Sequence, residues 1–290
     1  MQTPTETRNF WLLAALGGAV TLIGLIAAHT MELHGHAITG MDNQVVWGLP
    51  HVFAIFMIVA ASGVLNVASI GSVFGQAAYK PRAPLSGLLC LALLAGGLMV
   101  LMLDLGRPER IVVAATHYNF KSVFAWNVIL YSGMVAIVAV YLWTMFERRF
   151  NAWSKPAGIA ALIWRFVLTT GTGSIFGFLV ARQAYQSALL APLFIVLSFG
   201  WGLAVFLVVQ AAMFAWNERR LPPEVERRVA RLLGIFIAAS LYLVAVYHVT
   251  NLYFARQQDF VSFILLGRGG GGLWKEIHVV EAGDATAQHF

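Results

Sequence analysis

Leu85-Ser-Gly-Leu-Leu-Cys-Leu-Ala-Leu-Leu-Ala-Gly-Gly-Leu-Met-Val-Leu-Met-Leu103 runs directly into Asp104-Leu-Gly-Arg-Pro-Glu-Arg110. The first stretch carries no charge and has the length of helix, about 20 residues, that crosses the hydrocarbon core of a bilayer. The second packs four charges into seven residues. An apolar run that ends on such a burst of charge reads as a membrane span followed by a surface loop. The whole chain agrees: 59% of its 290 residues are hydrophobic and 11% charged, with a mean hydropathy of +0.75, against about 25% charged in soluble domains. Comparable apolar runs lie at roughly 10–30, 46–70, 122–145, 158–181, 188–214 and 232–254. The sequence therefore predicts an all-α, polytopic bundle of seven transmembrane helices. Strands of a membrane barrel would alternate polar and apolar positions over about 10 residues, which these runs do not.

Arg8 ahead of the first run and Ala27-Ala28 near its end admit a secretory signal, but the run exceeds an ordinary signal core and six spans follow, which favours a retained helix. Lys and Arg on the amino-terminal side number eleven: Arg8, Lys80, Arg82, Arg148, Arg149, Lys155, Arg219, Arg220, Arg227, Arg228 and Arg231. The opposite loops carry five, Arg107, Arg110, Lys121, Arg182 and Arg256. This bias predicts a cytoplasmic amino terminus and puts the 31–45 and 104–121 loops on the outer side. It also accounts for the net charge of +6 without nucleic acid as a partner. One cysteine, Cys90, cannot supply the ligands of an iron–sulfur cluster.

Short connections and the lack of a Pro/Ser linker point to one membrane domain over 1–266, followed by a glycine-rich polar tail at 267–290 that the sequence predicts to be disordered. The charged turn at 217–231 reads as an orientation-setting rim. Thr169-Thr-Gly-Thr-Gly-Ser-Ile-Phe-Gly177 reads as a surface for close helix packing, with a broken, substrate-binding helix as the other reading.

Two loops concentrate chemistry. The first holds Glu32, His34, His36, Asp42 and Asn43, leading to Trp47 and His51; the other holds Asp104, Arg107, Glu109, His117, Tyr118 and Lys121, leading to Trp126. Short connections suggest that the first four spans form a four-helix bundle that brings both loops to one outer end. An apolar slot with a titratable rim suits a quinone, whose tail partitions into lipid and whose oxygens need donors and proton acceptors. Imidazole serves both needs near neutrality. The candidates for proton handling and for shaping the site are His34, His36, Asp104 and Arg107; Glu32, Asn43, Trp47, His51, Tyr118, Lys121 and Trp126 are candidate quinone contacts. Asp104 with Arg107 also reads as an ion pair holding the turn. No metal site is expected. Within the spans, Arg165 is near enough to one surface to snorkel, and His248 with Asn251 reads as a buried pair, a proton relay or, with His51, a haem b ligand. A transporter or channel is the other alternative. A retinal protein is disfavoured, since the seventh span has no lysine.

Asp104-Leu-Gly-Arg-Pro108 after a third helix, with Ser122-Val-Phe-Ala-Trp126 opening a fourth, resembles the NrfD/polysulfide reductase membrane-subunit family. Thr39–Phe53, Ala60–Ser69 and Thr170–Gly177 more narrowly resemble its DsrP branch, found in the DsrMKJOP complexes of sulfur-metabolising bacteria. The resemblance implies a subunit that reacts with menaquinone or ubiquinone and has no haem or cluster of its own. It implies, as partners, a ferredoxin-like iron–sulfur subunit on the outer side, a multihaem cytochrome c, a haem b membrane subunit and a cytoplasmic iron–sulfur subunit. It also implies further carboxyl-terminal helices, which this chain is expected to lack.

Overall fold

Among the described residues, seven helices are long and apolar enough to cross a membrane. They are α1 (Pro4–His34), α2 (Leu49–Ser72), α3 (Ala83–Leu103), α5 (Val123–Phe146), α6 (Ser154–Gly177), α7 (Leu190–Trp216) and α8 (Pro223–Tyr253), with a short α4 (Ile111–Thr116) between the third and fourth spans. The structure, a computed structural model, describes residues 4–39, 41, 47–103, 111–179, 185–217, 223–254 and 258. The expected Asp104–Arg110 loop, the boundary at 266 and the tail lie outside the described residues.

The helix ends follow local chemistry. Pro50 sits in the first turn of α2, where a missing N–H costs nothing and its fixed φ suits the helix. Ser122 caps α5, its Oγ accepting from the Ala125 N–H at 3.4 Å, which satisfies one of the donors left free at a helix start. α6 runs unbroken through its glycines to Gly177, so the reading of a broken helix does not hold.

α2 is the hub: 72% of its span window is buried, against 6% for that of α8. α3, α6 and α7 pack on it, α5 bridges α3 and α6, and α8 leans on α7. Small residues allow this. A Cβ added to Gly63 would lie 1.6 Å from the Ser198 carbonyl oxygen, and one added to Gly202 would lie 2.2 Å from the Gly63 carbonyl carbon. α2 and α7 thus cross backbone to backbone, as membrane helices do when small residues open the contact. The stretch that ends α6 packs as expected, Gly173 lying against Leu190 and Ala191 of α7.

The seven-span bundle matches the sequence, but its grouping differs from the expected bundle of the first four spans. None of the α1 span window is buried. Its ties lie near its ends, where Asn9 Nδ2 donates to the Trp216 carbonyl at 2.8 Å and Met31 is buried. The physical reason is the solvent: lipid is as apolar as a neighbouring helix, so sequence adjacency alone does not drive packing, and Gly17, Gly18 and Gly24 meet no neighbour within 4 Å.

Arg165 also departs from expectation. It is 4% exposed and turns inward instead of snorkelling. One terminal nitrogen donates to Asn66 Oδ1 at 2.6 Å and to the Ser62 carbonyl at 3.4 Å, while the guanidinium carbon sits 5.1 Å and 5.2 Å from the ring centroids of Phe166 and Phe199. Acceptors on α2 and two aromatic faces make the interior a better host than a stretched path to the surface.

Candidate functional site

The far end of α2, opposite the amino terminus, is anchored by a turn of the first loop. A Cβ on Gly48 would lie 2.7 Å from Met41 Cγ and 2.8 Å from the Thr39 carbonyl oxygen, so the loop folds back onto the helix start. This places Trp47. Its indole stacks on the His51 imidazole, centroids 5.0 Å apart and planes 9° from parallel. It also meets Phe176 at 5.3 Å and Tyr185 at 5.8 Å, both edge to face. Phe176 in turn stacks on Phe194 at 5.5 Å. Tyr247 of α8 packs on the same cluster. Four helices thus contribute to one aromatic wall at the far end of the bundle.

Beside this wall lies a cavity of about 620 Å³, lined by residues that include Phe178, Gln186, Ser187, Leu189, Thr250 and Asn251. It shares the end of α6, the segment leading into α7 and the last turns of α8 with the cluster. Asn251 is buried, 3% exposed, and its side chain hydrogen bonds with that of Tyr247. The pairing of Asn251 with His248 suggested by the sequence is replaced by this one. His248 instead has a buried Nδ1 with no hydrogen-bond partner among the described residues, its ring lying 5.3 Å from that of Tyr247. Side-chain amides, hydroxyls and the Phe178 and Phe254 rings line this cavity, with the stacked indole and imidazole in the neighbouring cluster, a combination that suits a planar ligand with hydrogen-bonding oxygens. Among the described residues, no three His, Cys, Asp or Glu side chains gather as a metal site.

The predicted site residues fall into three groups. Trp47 and His51 join the wall. Glu32 and His34 are exposed at the end of α1, and His34 Nδ1 lies 2.9 Å from the Thr30 carbonyl of its own helix. Tyr118, Lys121 and Trp126 belong to a cap at the start of α5. There the Tyr118 hydroxyl donates to the Ala125 carbonyl, Trp126 Nε1 donates to the Phe120 carbonyl at 2.9 Å, and the Phe120 ring lies 4.8 Å from that of Tyr118 and 6.0 Å from that of Trp126. Lys121 is exposed beside them, its backbone N–H donating to Asn119 Oδ1 at 3.0 Å. These contacts of Tyr118 and Trp126 stabilise the cap itself. Asn43, Asp104 and Arg107 lie outside the described residues, as does the His36 side chain; the His36 backbone sits in a 3-10 turn, His36–Thr39.

Sequence reasoning missed Phe176, Tyr185, Phe194, Tyr247 and Gln186. An aromatic residue in or beside an apolar span carries no mark of function, and these come together only where α6 and α7 pack on α2 and α8 leans on α7.

Comparison with known proteins adds a lineage. The family model described as polysulphide reductase, NrfD, matches residues 37–273. The chain is 28% identical to the Hdr-like menaquinol oxidoreductase integral membrane subunit of Archaeoglobus fulgidus, over 93% of this chain and 67% of that one. It is 30% identical to a putative dimethyl sulfoxide reductase membrane subunit of Halobacterium salinarum, over 77% of this chain and 57% of the relative. A selenate reductase subunit of Mesobacillus selenatarsenatis is 21% identical, over 86% and 67%. The chain thus spans between 57% and 67% of the length of these relatives.

Proposed function

From the premise that the chain belongs to the NrfD polysulphide reductase family, we propose that this multi-pass membrane protein is the quinone-interacting subunit of an electron-transfer complex, and that the quinone headgroup lodges at the far end of α2, α6, α7 and α8. The observation that carries the site is the stacked Trp47–His51 pair set against Phe176 and Tyr185 beside a cavity lined by Gln186 and Asn251. The relative named as a menaquinol oxidoreductase subunit supports the ligand class and favours menaquinone.

A quinone supplies two-electron, two-proton redox chemistry when bound. The chain's own residues do the rest. The aromatic wall offers flat faces of the kind that stack with a planar ring, each such contact worth about 0.5–1.5 kcal/mol beyond burial. The side-chain amides of Gln186 and Asn251 supply N–H donors, and the Tyr247–Asn251 hydrogen bond fixes the orientation of one of them. His51 supplies an imidazole, a side chain able to accept or donate a proton. His34, His36, Glu32 and the Asp104–Arg107 turn then belong to the outer rim, where a partner docks and protons leave.

The electron partner in this reading is an iron–sulfur subunit on the far side, within a sulfur-linked complex that also carries a multihaem cytochrome c, a haem b membrane subunit and a cytoplasmic iron–sulfur subunit. The strings at Thr39–Phe53, Ala60–Ser69 and Thr170–Gly177 support the sulfur link, and the excess of basic residues on the amino-terminal side supports a cytoplasmic amino terminus.

A photoactivatable menaquinone analogue tests the site without needing turnover. Labelling of the peptides holding 47–51, 185–190 or 247–254 is expected, with loss of label in His51→Ala and Asn251→Leu. Label confined to α1 or to the α5 cap would move the site elsewhere.

A further inference from the structure

A second cavity lies at the other end of the bundle, on the side of the amino terminus, and the far-end site makes no use of it. It measures about 570 Å³ and is walled by the end of α2, the 75–84 connection into α3, the end of α5 and the start of α6. Two of its lining residues are cations from separate elements: Lys80 of the 3-10 turn Ala77–Arg82 and Lys155 in the first turn of α6. Asn151 and Ser154 add hydrogen-bonding groups, and among the described residues that line it none is Asp or Glu. The remaining wall includes Phe74 and Met145. A chamber with two ammonium groups, neutral donors and an apolar flank has the chemistry of a phosphate ester attached to something greasy.

Its depth fits. Trp143, Phe146 and Trp153 are 59%, 62% and 65% exposed on the same end of α5 and the turn that follows it. Exposed tryptophans beside apolar spans mark the headgroup level of a bilayer. Gly75 supports the entrance: with φ at +71° it turns the chain out of α2, and a Cβ there would meet no atom within 4 Å. Basic pockets between helices at this level recognise anionic headgroups.

We propose that this cavity binds a phosphate group held between Lys80 and Lys155, supplied by the headgroup of an anionic phospholipid or by free phosphate. The full chain in nanodiscs tests this, by native mass spectrometry of retained phosphatidylglycerol against phosphatidylcholine, with inorganic phosphate as competitor. Preferential retention of phosphatidylglycerol is expected, falling about fivefold for Lys80→Gln or Lys155→Gln and further in the double variant. Lys155→Arg restores it, and Arg148→Gln, on the same rim but outside the cavity lining, leaves it unchanged. If phosphate binds alone with the same lysine dependence and displaces the lipid, the occupant is free phosphate; if lipid is retained against phosphate, it is the headgroup. Equal retention of both lipids with no lysine-dependent binding of phosphate overturns the proposal, as does an equal loss in Arg148→Gln.

Discussion

Trp47 and His51 lie ring on ring, 5.0 Å apart and 9° from parallel, four residues apart where α2 begins. The pair ties the last residues of the first loop to the first turn of the hub helix, and through Phe176 and Tyr185 to elements more than a hundred positions later in the chain.

Trp47→Ala and His51→Ala each remove one face of this wall. With stacking worth about 0.5–1.5 kcal/mol, affinity for a labelled menaquinone analogue should fall roughly threefold to tenfold in either variant. Equilibrium binding to the purified chain measures it, and unchanged affinity in both would exclude the wall from the site.

Glu32→Gln and His34→Ala change exposed groups at the end of α1. Stability should shift by less than about 0.5 kcal/mol, and binding of the same analogue by the isolated chain should be unchanged. A fall in affinity comparable to that of His51→Ala would place α1 in the quinone site.

Gly63→Ala forces a methyl group onto the Ser198 carbonyl, 1.6 Å away. Overpacking of a close contact costs about 1–3 kcal/mol, more where backbone must move, so the thermal midpoint in detergent should drop by several degrees. Gly24→Ala, with nothing within 4 Å, should be neutral or slightly stabilising, by up to about 1 kcal/mol of helix propensity. Equal effects of the two would remove the crossing as the pivot of the fold.

Asn66→Leu strips Arg165 of its 2.6 Å acceptor. A lost hydrogen bond to a buried charge costs about 1.5–3 kcal/mol. The double change Asn66→Leu with Arg165→Met should recover part of the loss, because no unpaired cation remains. Unfolding of the single and double variants in detergent reads the difference; a double variant less stable than Asn66→Leu would contradict it.

The spans were legible because each needs only a count of apolar residues, as at Leu85–Leu103 and in the run from 122 that became α5. The small residues of Thr169–Gly177 were legible as a packing surface for the same reason: glycine at a helix crossing has a local signature. What the sequence hid was which surfaces meet. Gly63 and Gly202 lie far apart in the chain, and nothing near either names the other. Phe176 and Tyr247 look like ordinary apolar filling until α6 and α8 close round the end of α2. The expectation that the first loop faces the third came from adjacency along the chain, a weak force in lipid, and the middle of both loops lies outside the described residues; of those described, Trp47 and His51 pack with Phe176 and Tyr185, and Tyr118 and Trp126 with Phe120.

Arg165 sits about 16 Å along α6 from its first residue at 1.5 Å per residue, and the partners the structure gives it are neutral: an amide oxygen, a carbonyl and two phenyl rings. A fixed positive charge so placed raises the electrostatic potential along the centre of the bundle. Sodium, potassium or hydronium moving past it would meet a repulsive barrier of the kind that lets a single arginine exclude cations from a water pore. The middle of the bundle is in this sense guarded against a leak of cations.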